Sequence, residues 1–272
     1  SKPLAELGGP RFGLPGLRRQ TGVSAGALLC TALKPMGLSA AELATLAEGF
    51  ALGGIDIIKD DHGLSDQVFA PFERRLEACV GAVERAFRST GRRVLYAPNV
   101  TGDFASMSAR ARLASRAGAG ALLVAPGLCG FSNVLALARD PEVNLPLLVH
   151  PALLGSFVAS PHSGISHAAL FGQLIRIAGG DATIFPSFGG RFAFTRAQCR
   201  AIAAAACEDF ANMPAIAPVP AGGMRIDRLP ELLEAYGSNV VLLIGGALLG
   251  MGPDVAHSAR ELRREVDAVL SR

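Results

Sequence analysis

The chain has 272 residues, 50% of them hydrophobic and 18% charged, a composition that suits one large domain with a substantial buried core. Its net charge is +3 with Lys and Arg scattered along the chain, which argues against a nucleic-acid partner and leaves room for a small acidic substrate. Five well-separated cysteines, Cys30, Cys79, Cys129, Cys199 and Cys207, lack C-x-x-C spacing, which argues against a disulfide framework or zinc knuckle and for buried thiols in a reducing cytosol.

Residues 1–26 are rich in Gly, Pro and Arg without a hydrophobic period, and are expected to form a lead-in segment or a short cover beneath the domain. Ser1-Lys2-Pro3 lacks an initiator Met and reads as a cut end. Neither signal-peptide order nor an apolar run of roughly 18 residues is present, so a cytoplasmic protein with no membrane partner is expected. From Ala27 onward, short apolar runs alternate with longer Ala/Leu/Arg segments of helical period, the pattern of βαβ units on a parallel sheet. Strands are predicted at Ala27–Lys34, Ile55–Lys59, Val94–Pro98, Ala121–Val124, Leu147–His150, Ala182–Phe185, Ala215–Val219 and Val240–Ile244. Ser39-Ala40-Ala41-Glu42 and Thr195-Arg196-Ala197-Gln198 fit the S/T-x-x-E/Q capping box and mark two helix starts. Eight units could form an open doubly wound sheet, but their even spacing favours a (β/α)8 TIM barrel over residues 27–272, undivided by any linker.

Barrels carry their chemistry at the C-terminal ends of strands, which selects Lys34, Lys59 to His62, Asn99, His150, Ser187 to Arg191, Ala221 to Gly223, and Gly245-Gly246. Gly53-Gly54-Ile55-Asp56-Ile57-Ile58-Lys59-Asp60-Asp61-His62 ends in a dense polar cluster that a hard divalent cation would explain. Asp61 offers an oxygen, His62 a nitrogen, and Lys59, if its amine takes up CO₂ as a carbamate, a further anionic oxygen. A solvated strand end with an internal Lys–Asp ion pair accounts for K-D-D alone equally well.

Lys34-Pro35-Met36-Gly37-Leu38-Ser39 followed by this cluster resembles the RuBisCO large-subunit superfamily, whose pattern is K-P-K-x-G-L-S and then G-G-x-D-x-x-K-D-D-E. The likeness runs from Gly8-Gly9-Pro10-Arg11-Phe12-Gly13-Leu14 to Pro218-Val219-Pro220-Ala221-Gly222-Gly223 and Gly245-Gly246-Ala247-Leu248-Leu249-Gly250, in the family's order. It implies a carbamylated Lys59, metal ligation by Lys59 and Asp61, an acid/base role for Lys34, and a substrate contact for His150. His62 stands where the family has Glu, which trades a charged hard ligand for a neutral nitrogen and makes Mn²⁺ a candidate beside Mg²⁺.

Gly222, Gly223, Gly245 and Gly246 follow the last two strands, and by resemblance they cradle one substrate phosphate on backbone N–H groups. The residues that hold a second phosphate in RuBisCO align with Pro151 and Ile184, so a monophosphate substrate is expected. Ser187, Gly189, Gly190 and Arg191 occupy the loop that closes over CO₂ in RuBisCO. Its lysine is replaced by Arg191, suited to holding an anionic group, and the non-carboxylating, RuBisCO-like branch is implied. The expected reaction is formation of a metal-stabilised enediolate from a phosphorylated sugar-derived keto acid, with 3-oxo-isoapionate 4-phosphate decarboxylation or transcarboxylation and hydrolysis preferred. One alternative is enolisation or isomerisation of methylthio-pentulose phosphates in methionine salvage, which calls for an apolar pocket. Another is a non-catalytic remnant, because the family's site is completed by an N-terminal domain of the partner subunit in a homodimer.

Overall fold

The structure, a computed structural model, describes residue 6, residues 8–160 and residues 162–271. The reading of Ser1-Lys2-Pro3 as a cut end falls outside the described residues. Every predicted strand is present: β1 Leu28–Leu33, β2 Ile57–Asp60, β3 Leu95–Ala97, β4 Leu122–Val124, β5 Leu147–Val149, β6 Ala182–Pro186, β7 Ala217–Ala221 and β8 Val241–Leu243. The helices that matter below are α1 Gly13–Thr21, α2 Ala40–Leu52, α3 Phe72–Thr90, α4 Phe104–Ala117, α5 Phe131–Arg139, α6 Arg196–Cys207, α7 Leu229–Tyr236 and α8 Val255–Leu270. Both capping boxes form, Ser39 with Glu42 opening α2 and Thr195 with Gln198 opening α6. Between β5 and β6 the chain takes a π-helix, Ala168–Leu174, rather than the regular α-helix that the apolar period suggests.

The fold is α/β with all strand pairs parallel, in two four-stranded sheets ordered β3-β2-β1-β8 and β4-β5-β6-β7. They meet where Leu123 N–H donates to Pro98 O at 2.9 Å and Val100 N–H to Leu123 O at 3.0 Å. Successive strand residues face opposite sides. One set, including Leu28, Cys30, Ile57, Leu95, Leu123, Leu148, Ile184, Val219 and Leu243, forms an inner core drawn from all eight strands. Their neighbours, among them Leu29, Ile58, Tyr96, Val124, Val149 and Leu242, pack outward against the helices. Burial on both faces is why the strands read as unbroken apolar runs.

The lead-in contains α1, whose Leu14 and Leu17 join the inner core. Asp181 ties it down, accepting Phe12 N–H at 2.7 Å and Gly13 N–H at 2.6 Å on one oxygen and Leu147 N–H at 2.8 Å on the other. The buried Asp56 does the same for the first strands, accepting Leu29 N–H at 2.7 Å and pairing with Arg92 and with Arg263 of α8. Among the described residues no helix is long and apolar enough to cross a membrane.

Candidate active site

The two-residue period of the strands decides which polar residues converge. In β2, Ile57 faces inward and Ile58 outward. Lys59 and Asp61 therefore continue the inner row, and Asp60 turns out toward α3. The parallel register sets Lys59 between Ala32 and Ala97, two small neighbours that leave room around its amine. The same period carries Lys34 inward beyond Cys30 and Ala32, and His150 inward beyond Leu148. Lys34, Lys59, Asp61, His62 and His150 all line one cavity of about 510 Å³ at the C-terminal ends of the strands.

Within it, Lys34 Nζ lies 2.8 Å from Asp61 Oδ2, and Gly63 N–H donates to Asp61 Oδ1 at 2.9 Å. Burial pushes the Asp61 carboxyl up, but the Lys34 and Gly63 hydrogen bonds outweigh it and hold the group below its ordinary value. Lys59 is buried and, among the described residues, donates only to the Asp60 carbonyl, at 3.0 Å. Burial pulls its ammonium down toward the neutral amine, the form that reacts with CO₂. His62 Nδ1 is 3.4 Å from Asp61 Oδ1, and its ring stacks on His150 with centroids 4.3 Å apart and planes at 10°. Burial lowers the pKa of His62, so its ring stays neutral to lower pH than an unperturbed side chain would.

His150 accepts the Ala152 N–H on Nδ1 at 3.2 Å, a pattern that assigns the ring proton to Nε2. Burial pushes its pKa down to about 2, so the ring is a neutral N–H donor. A His neutral in the folded state and titrating near 6.5 when unfolded gives stability that is fully present above pH 6.5 and is lost as pH falls. Unfolding free energy should thus drop by about 1.4 kcal/mol per pH unit below about 6.5 on account of His150. Urea titrations of the parent and His150→Gln at pH 7.5, 6 and 5 check this: parallel pH profiles for the two proteins would show that His150 is not held neutral.

Asp60, missed as a structural residue, is fully buried: Oδ2 accepts Arg75 Nε and Asn99 N–H, each at 3.0 Å, and Oδ1 accepts the Tyr96 hydroxyl at 2.8 Å. Asn99 donates in turn to His62 O and Leu64 O, both at 3.0 Å, fixing the turn that carries His62. These contacts are long-range, and only the outward parity of Asp60 could have signalled them.

The loop after β6 divides. Arg191 lines the cavity, but Ser187 does not: it is buried, its Oγ 3.0 Å from the Tyr236 hydroxyl, because it faces α7 rather than the cavity. Gly189 and Gly190 form backbone contacts behind Arg191. Gly222 lines the cavity, whereas Gly223, Gly245 and Gly246 are not among the lining residues. Among the described residues, and apart from its chain neighbours and its own helix backbone, no atom lies within 4 Å of a Cβ built on Gly245 or Gly246, so packing does not demand glycine at either position. The remaining wall is mostly apolar, with Pro151, Leu153, Phe171, Ile184, Phe185, Phe192 and Phe194, and Ser156 adds a hydroxyl to it. Sequence reasoning passed over it except for Pro151 and Ile184, although the phenylalanine density from 185 to 194 was a visible signal.

The sequence profile of the family "Ribulose bisphosphate carboxylase large chain, catalytic domain" matches residues 13–272. The chain belongs to this RuBisCO family. A solved structure of a Rubisco-like protein from Rhodopseudomonas palustris superposes with a TM-score of 0.89 at 42% identity, over 97% of this chain and 70% of that one. Several relatives carry activity names. The 5-methylthioribulose-1-phosphate isomerase of Rhodospirillum rubrum is 43% identical over 247 residues, 90% of this chain and 64% of the relative. The 2,3-diketo-5-methylthiopentyl-1-phosphate enolase of Bacillus licheniformis is 36% identical over 267 residues, 97% of this chain and 65% of the relative. This chain thus spans just under two thirds of the length of both. Their names match the methylthio-pentulose alternative and not the preferred isoapionate decarboxylase, so the comparisons turn the functional reading toward that alternative.

Proposed function

We propose that this chain is the catalytic portion of an enzyme that enolises or isomerises a methylthio-substituted pentulose phosphate. The observation that carries the reading is the apolar wall. A bisphosphate enzyme of this family needs a second anion site where Pro151 and Ile184 stand, and here these two apolar residues share the cavity with Phe171, Phe185 and Phe194. Such a wall would desolvate a phosphate at prohibitive cost but welcomes a thioether, whose sulfur also packs well on aromatic rings. Leu153 on its rim is held at φ +63°, a strained conformation for a leucine of the kind that persists where function requires it.

In this reading the two sheets are halves of one (β/α)8 TIM barrel over residues 27–272, with 1–26 as its lead-in, and the intact protein is a homodimer. The donor set suits a divalent cation. Among the described residues no three His, Cys, Asp or Glu side chains group as a metal site, so Asp61 and His62 need a third ligand. Lys59, buried and held toward its neutral form, supplies it as a CO₂-derived carbamate. With one neutral nitrogen in the set, Mn²⁺ should compete well with Mg²⁺. A bound cation supplies Lewis-acid stabilisation of the enolate oxygen.

The rest falls to the chain's own side chains. Lys34, once its ammonium proton has passed to solvent, takes the proton from the carbon beside the ketone. The C–H electron pair becomes the enolate C=C bond, and the carbonyl pair moves to oxygen. Asp61, 2.8 Å away, stabilises the resulting ammonium, which returns its proton to the neighbouring carbon or oxygen. His150 donates its Nε2–H to a substrate oxygen. Gly222, the one of the four glycines that lines the cavity, offers its backbone to the phosphate, and Arg191 closes on the same group.

The test is discrimination by the tail. The kcat/KM for 5-methylthioribulose 1-phosphate should exceed that for ribulose 1-phosphate, its C5-hydroxyl counterpart, by about 10–200-fold. Equal values, or turnover of 3-oxo-isoapionate 4-phosphate instead, would remove the reading.

A further inference from the structure

Arg191 reaches the cavity from a loop whose foot is anchored by residues that never touch the cavity. Ser187, one residue beyond β6, shares a 3.0 Å hydrogen bond with the Tyr236 hydroxyl at the end of α7. The Phe188 ring contacts two guanidinium groups, Arg196 at 5.7 Å and Arg228 at 5.3 Å, and tilts against Tyr236 at 5.8 Å. Arg228 also donates to Gly189 O at 3.1 Å and Phe188 O at 3.4 Å, while Glu231 holds its other face at 2.8 Å. A Cβ built on Gly189 would come within 2.2 Å of Arg228 Nη1, so backbone and guanidinium are in direct contact.

The loop has a second seat on the cavity side. Arg191 N–H donates to Gly222 O at 3.2 Å, and a Cβ on Gly190 would sit 2.0 Å from that oxygen, so only glycine allows this approach. The Arg191 backbone is thus fixed from both sides, while its guanidinium meets no carboxylate among the described residues and lies over Phe192 at 5.7 Å. A long side chain on a tethered backbone loses less freedom when it clamps an anion than one on a loose loop.

We propose that Arg228 and Tyr236 are positioning residues that hold the loop foot so that the Arg191 guanidinium faces the phosphate end of the cavity. This rests on the reading of Arg191 as an anion holder, but not on the identity of the substrate's tail. The probe is therefore inorganic phosphate, with its Kd measured by isothermal titration on the intact protein. Arg191→Gln should weaken phosphate binding by about tenfold, the loss of one charge-assisted pair. Arg228→Gln should weaken it by about fivefold, and in the Arg191→Gln background it should add less than about twofold, the non-additivity of residues acting through one group. Tyr236→Phe should give a smaller loss with the same dependence on Arg191, and stands in if Arg228→Gln does not fold. An Arg228 or Tyr236 effect of equal size in both backgrounds would make these residues merely structural and overturn the proposal. So would an unchanged Kd in Arg228→Gln beside a weakened Arg191→Gln. An unchanged Kd in Arg191→Gln would remove the anion-holder reading, and the positioning role with it.

Discussion

Replacing Lys34 by methionine should lower turnover of a methylthio-pentulose phosphate by about 10²–10⁴-fold, the range for loss of a positioned acid/base group. The side chain is 39% exposed and its ion pair with Asp61 lies at the cavity, so the fold should tolerate the change with little loss of stability. Methionine keeps the chain out to its ε carbon, with sulfur in place of one methylene, and removes the amine. Substrate binding should be largely retained, because the phosphate and the apolar tail are gripped elsewhere, and the loss should therefore fall on kcat rather than KM. Steady-state kinetics beside a thermal unfolding curve separate the two effects. A variant with kcat within tenfold of the parent would assign the proton transfer to another group.

The largest stability effect should come from Arg75→Met, a loss of about 3–5 kcal/mol. Arg75 and Asp60 are both fully buried, and the guanidinium also donates to Ala70 O and Ser65 O. Without it, Asp60 keeps the Tyr96 and Asn99 hydrogen bonds but has no counter-charge, and two carbonyls lose their donor. Burial already raises the Asp60 carboxyl above its ordinary 3.8, with Arg75 opposing the rise. Removal of Arg75 must raise it further. A raised folded-state pKa favours the protonated form, so the destabilisation should be greatest at neutral pH and shrink as pH falls toward about 4. Urea unfolding at pH 7.5 and pH 5 reads both the size and the sign. A loss under 1 kcal/mol, or one that grows on acidification, would contradict this account of the pair.

These variants touch adjacent residues of one motif, and they show how far the sequence could be read. Lys59-Asp60-Asp61-His62 was recognisable as a polar strand end, and alternation along β2 divides it into Lys59 and Asp61 facing the cavity and Asp60 facing Arg75. What alternation cannot convey is the identity of the partner fifteen residues on in α3, which depends on how the helix packs. The eight strands were legible because burial on both faces writes them as short apolar runs, and the helix starts because Ser39 and Thr195 cap locally with Glu42 and Gln198. Helix α1 was missed, since Gly13 and Pro15 mask a two-turn helix whose core contribution is little more than Leu14 and Leu17. The apolar end of the cavity was missed for a different reason. Phe171 comes from a π-helix and Phe194 from the loop before α6, and they pack with centroids 5.8 Å apart only in three dimensions. Ser187 was assigned to the substrate loop by position alone, whereas its hydroxyl is committed to Tyr236 across 49 residues of chain.

The central claim is that this site makes an enolate from a methylthio-pentulose phosphate, and proton NMR in D₂O tests it most directly. The intact protein, supplied with bicarbonate and Mg²⁺ or Mn²⁺, is incubated with 5-methylthioribulose 1-phosphate while the signal of the proton on carbon next to the carbonyl is followed. The account expects that signal to vanish through deuterium incorporation with the parent and to persist with Lys34→Met. A signal that persists with the parent, under conditions where the substrate demonstrably binds, would contradict it.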